Sequence, residues 1–128
     1  MKLNLIFIIA AVYGLVVGLP AILAPDALAS MAGQQLPAGM LMGYRFLGVA
    51  ELGLGLIAWF VRNADASSAR DGVVLGFTIY FALHALTSLY GQFTDTSVSM
   101  HWVMATIQGL IAIGFFMAGR ANMSKSGS

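Results

Sequence analysis

Four apolar runs, residues 3–24, 40–61, 72–91 and 100–119, are separated by short polar links, and each run matches the hydrocarbon thickness of a bilayer. A helix rises about 1.5 Å per residue, so about 20 apolar residues cross that core. The pattern predicts an all-α fold, an integral membrane four-helix bundle in one domain, residues 1–120, followed by a flexible polar tail, residues 121–128. The first link holds Pro25, Asp26 and Pro37; the second reads RNADASSARD, residues 62–71; the third reads QFTDTS, residues 92–97. Within the first link, Pro25 as a start and Gly33 as a stop predict a short helix at the outer interface, with an irregular loop as the alternative.

Lys2, Arg62, Arg70, Arg120 and Lys125 fall on one side of the predicted bundle, while the other side has Asp26 and Asp95 and no basic loop residue. Lys and Arg in short loops stay on the cytoplasmic side. Both termini are therefore expected there, in a bacterial inner (plasma) membrane. A rival reading makes the first run a leader cleaved at ALAS, residues 27–30. The run exceeds the usual leader core of about 7 to 15 residues, which favours a retained span.

Helical periodicity sorts each run into faces. Advancing about 100° per residue along the second run puts Tyr44, Gly48, Glu51, Gly55, Ala58 and Arg62 in one stripe, with Phe46, Val49, Leu56, Ile57 and Phe60 opposite. Arg45 sits at the edge of that stripe. It is separated from Glu51 by about 9 Å of rise and about 120°, a poor geometry for an ion pair within one helix. The third run gathers Phe77, Tyr80, Phe81, His84, Thr87 and Ser88 on one face, and the fourth gathers His101, Met104, Ala105, Gln108, Ala112 and Phe115. Small residues at helix-contact spacing, Gly14 with Gly18, Gly39 with Gly43, Gly72 with Gly76 and Ala105 with Gly109, predict close helix packing.

Depth adds an independent criterion. Counted from the outer ends, Arg45 lies about 8 Å in, His84 about 10 Å, Gln108 about 13 Å and Glu51 about 16 Å, with His101 near the surface. Face and depth together predict one polar cluster in the outer half of the bundle. Charged groups at such depth are expensive and persist where they are paired or useful. Each has a purely structural alternative: Arg45 can snorkel to headgroups, Gln108 can join helices, and His84 can be a satisfied core residue.

Composition narrows the chemistry. The chain is 59% hydrophobic and 9% charged, against roughly 25% charged for soluble domains. A net charge of +1 gives no basic surface for nucleic acid. The absence of cysteine excludes disulfides, thiol nucleophiles and Cys-ligated metals. His84, His101 and Glu51 lack the local spacing of a metal motif, and no metal site is expected.

Four short spans with YRFLGVAELGLGLIAWFVR, residues 44–62, on the second resemble the small bacterial DoxX-like membrane proteins, the resemblance resting on Arg45, Gly48, Glu51, Gly53 and Gly55. It implies an integral membrane subunit, since some members of that group are linked to quinone-coupled sulfur oxidation or membrane redox complexes. No catalytic residue is carried over from it, and the lack of cysteine argues against a thiol-based version.

Three roles fit these residues. The first is a non-enzymatic membrane subunit, as a homo-oligomer or within a membrane complex, whose polar cluster serves assembly. The second is binding or transport of a small lipophilic molecule such as a quinone. Glu51 and His84 would orient its polar end in an aromatic cavity lined by Phe77, Tyr80 and Phe81, with Arg45, His101 and Gln108 as further ligand contacts. The third is an intramembrane acid/base enzyme, an isomerase or oxidoreductase subunit. There Glu51 and His84 would be the catalytic proton carriers, with Arg45 or Gln108 stabilising an oxyanion.

Overall fold

The computed structural model describes the backbone of residues 2–123 and the side chains of residues 2–122. Among the described residues five α-helices follow in order: α1 Leu3–Leu23, α2 Pro25–Met31, α3 Leu41–Val61, α4 Ser68–Thr94 and α5 Met100–Met123, with a 3-10 turn at Ala38–Met40 leading into α3. Four of them, α1, α3 with its leading turn, α4 and α5, are long and apolar enough to cross a membrane. This suggests a small integral membrane protein.

The short helix expected after the first span is present as α2. Pro25 occupies its first turn, where the missing N–H leaves no bond unmade. Its end is set by Gly33, whose φ of +74° places it in the left-handed region. Gln34 N–H reaches back to Ala29 O at 2.9 Å and Gly33 N–H to Ser30 O at 3.0 Å. That is the paired closure that a glycine just past a helix end makes possible.

Two spans outrun their apolar runs. α4 begins at Ser68 and ends at Thr94, so four residues of the RNADASSARD link form its first turn and Gln92 belongs to its last. Ser67 caps the start, its hydroxyl accepting from Arg70 N–H at 3.2 Å. α5 continues past Gly119 to Met123, with Asn122 Nδ2 donating to Ala118 O at 2.7 Å. The rest of the expected polar tail, residues 124–128, lies outside the described residues.

Backbone packing divides the chain into two compact units: one holds Ile8–Phe60, and the other joins the stretch ending at Phe7 to the stretch beginning at Val61. In the first unit α1 and α3 run antiparallel with backbone against backbone. A Cβ on Gly14 would lie 2.5 Å from Glu51 O and 2.7 Å from Gly55 Cα, and one on Gly18 would lie 2.8 Å from Gly48 O. No side chain fits there, which is how small residues let helices associate in lipid. The buried positions of α3 are Gly48, Glu51, Gly55 and Ala58, the middle of the stripe that periodicity predicts; its ends, Tyr44 and Arg62, are half-buried, Arg62 lying just past α3, while Phe46, Val49, Leu56, Ile57 and Phe60 are exposed. Gly39, Gly43, Gly72 and Gly76 have open space where a Cβ would stand.

In the second unit α4 and α5 form an antiparallel pair. A Cβ on Gly119 would press on Val74 at one end, and His101 packs on Gly91 at the other. Between these ends lies an aromatic core. Phe77 and Phe115 stack at 5.1 Å with an 11° tilt, and Phe81 lies parallel to Phe115 at 6.2 Å. Phe7 stands edge-on to Phe115 at 5.2 Å. Phe7 and Phe115 are wholly buried.

Candidate functional site

A polar group within a span needs a partner inside the protein, and for Ser88 and Gln108 the facing helices α4 and α5 supply it. His84 and Ser88 stand one turn apart on α4, opposite Gln108 of α5. Ser88 Oγ donates to Gln108 Oε1 at 3.0 Å, and Gln108 Nε2 lies 3.5 Å from His84 Nδ1. A carboxamide suits this place because one end accepts while the other donates. Gln108 Nε2 can donate to Nδ1 in the tautomer that carries its ring proton on Nε2.

Tyr80, one turn before His84, lays its ring 4.4 Å from the imidazole, centroid to centroid. Tyr80, Leu83, His84 and Thr87 line a recess of about 330 Å³. The Thr87 hydroxyl is engaged with Leu83 O at 2.9 Å. The imidazole thus stands on the recess wall beside Tyr80, braced from behind by Gln108.

The remaining predicted site residues are placed as follows. Phe77 and Phe81 are buried in the aromatic core beside Phe115. His101 is in the first turn of α5 and lays its ring within 3.1 Å of where a Gly91 Cβ would stand, at the far end of the α4–α5 pair from Val74. In the unit built by α1 and α3, Arg45 is exposed, whereas Glu51 is 3% exposed on the face that meets Gly14. A separate hollow of about 310 Å³ in that unit is lined by Ala11, Leu15, Leu52, Gly55 and Trp59. The structure thus sets Tyr80 and His84 on the wall of one recess, with Gln108 behind His84 and Ser88 completing the hydrogen-bond chain.

Sequence reasoning passed over Gln92 and Phe7. Gln92 is 5% exposed and its Oε1 has no hydrogen-bond donor among the described residues. Its signal is hidden because the apolar run stops one residue earlier. Phe7 lies in a run that is apolar on every side, where periodicity marks no inner face.

The link between α4 and α5 is ordered by Asp95, whose carboxylate accepts from both the hydroxyl and the backbone N–H of Ser97. These two bonds, the hydroxyl first, hold the Asp95 carboxyl below its ordinary range; His101 adds a smaller attraction against slight desolvation.

Comparison with known proteins adds nothing to this geometry. No family model, curated protein or solved structure matches the chain.

Proposed function

We propose that the protein is a four-span membrane subunit, both termini cytoplasmic, that binds a small lipophilic molecule through the recess on α4 without transforming it. The observation that carries this reading is His84 on the wall of a hollow of about 330 Å³, with Nδ1 directed to Gln108. That volume is at the lower end of small-ligand pockets, roughly 300 to 1,000 Å³. In the tautomer that accepts from Gln108 at Nδ1, the imidazole is a donor at Nε2, the complement of a carbonyl oxygen. Tyr80 supplies a flat apolar surface beside it. A quinone-type head combines these features, and the DoxX-like resemblance points to the same class. A binding role is favoured over proton transfer because no carboxyl group is among the residues that line the recess.

The test is titration of the purified protein in detergent micelles with a decyl-substituted benzoquinone, read by quenching of Trp59 and Trp102 fluorescence. Loss of one hydrogen bond in His84→Ala is expected to weaken binding about tenfold. Leu86→Ala, on the exposed side of α4, should bind as the parent does. Equal affinity for parent and His84→Ala would reject the reading, as would failure of the parent to bind.

A further inference from the structure

At the end of the α4–α5 pair where Val74 meets Gly119, a trough of about 260 Å³ runs between the helices, lined on α4 by Val74, Leu75 and Thr78 and on α5 by Phe115, Phe116 and Gly119. Its lining is apolar in hydrogen-bonding terms, because the one hydroxyl, Thr78 Oγ1, is engaged with Val74 O at 2.8 Å. Leu75 and Phe116 are more than half exposed, so the trough opens on the outer surface of the pair. Arg120 also lines it, its guanidinium carbon 5.6 Å from the centre of the Phe116 ring. The ring face holds the cation at the trough without neutralising it.

The neighbouring cation is differently disposed. Arg70, in the first turn of α4, is paired with Asp71 at 3.7 Å and donates to Ala64 O at 3.4 Å. Arg120 is exposed and has no carboxylate partner among the described residues. An apolar channel continuous with an unneutralised guanidinium, at the end of a span, is complementary to a molecule with a hydrocarbon tail and an anionic head. A guanidinium grips a phosphate through paired N–H donors, and basic pockets between spans are recurrent sites for anionic headgroups. A soluble anion would use the cation and leave the channel unexplained.

We propose that this trough binds one anionic phospholipid, its acyl chain lying between Leu75 and Phe116 and its phosphate on Arg120. The test uses the full chain in detergent micelles, with dioleoyl phosphatidylglycerol or dioleoyl phosphatidylcholine added, and bound lipid counted by native mass spectrometry. The parent should retain phosphatidylglycerol over phosphatidylcholine by about fivefold, the preference one interfacial arginine supplies. Arg120→Gln should abolish the preference, Arg120→Lys should keep most of it, and Lys2→Gln, another exposed cation, should leave it intact. Leu75→Trp, which fills the trough from its rim, should lower retention of both lipids. The proposal is overturned if the parent shows no preference, if Arg120→Gln keeps it, or if Lys2→Gln loses as much as Arg120→Gln. Displacement of the lipid by glycerol phosphate alone would also overturn it, assigning the site to a soluble anion.

Discussion

Gln108 and Gln92 are buried to nearly the same degree, 3% and 5% exposed, yet their surroundings differ. Gln108 has its oxygen on Ser88 and its nitrogen towards His84, whereas Gln92 Oε1 has no donor among the described residues. A buried acceptor left unpaired costs about 1 to 3 kcal/mol, while a paired one contributes modestly. Gln92→Met is therefore expected to raise stability by about 1 kcal/mol and Gln108→Met to lower it by a similar amount, both read from thermal unfolding in detergent. A fall in melting temperature for Gln92→Met would show that its oxygen does have a donor. The sequence distinguishes these two glutamines poorly. Gln108 stands out because it interrupts an apolar run; Gln92 sits where such a run has just ended, and hydropathy records lipid contact rather than helical continuity.

At the scale of elements, the same physics explains why span boundaries are harder to read than span number. The hydrocarbon core demands apolar residues over its own thickness, and a helix is free to continue beyond it on polar residues, as α4 does through Ser68 and Thr94. Faces fare better. Gly48, Glu51, Gly55 and Ala58 are the buried set of α3 and form the middle of the stripe that periodicity selects, whose ends Tyr44 and Arg62 are half-buried. Spacing identifies Gly14 with Gly18 but leaves their partners open. Those turn out to be Gly48 and Gly55, two turns apart, so Gly43 is left facing open space. Gly14→Leu should consequently destabilise the protein by at least about 2 kcal/mol through overpacking. Gly43→Ala should be neutral or stabilising, by up to about 1 kcal/mol from helix propensity. Chemical or thermal unfolding of the two variants side by side decides the matter, and equal losses would refute the α1–α3 register.

For the whole molecule, the lipid environment makes fold class the most legible property: four runs of the right length leave few alternatives to four helices. Chemistry is less legible, because its evidence is a pairing between helices, His84 with Gln108, that no local motif encodes. Orientation can be tested directly, since a chain without cysteine accepts single reporter thiols. With both termini cytoplasmic, Thr96→Cys should react with a membrane-impermeant maleimide in intact cells. Ala66→Cys should react only after permeabilisation, and the reverse pattern would invert the topology. The glycine contact between α1 and α3 bears on how such a molecule assembles. Most docking surfaces must immobilise side chains, and each frozen rotamer opposes association. Gly14, Gly18, Gly48 and Gly55 have no rotamers to freeze, so these helices meet with little loss of entropy of their own. The strength of their pairing is then governed by how readily lipid tails vacate the shared groove, which makes the order of the surrounding acyl chains a direct control on this half of the protein.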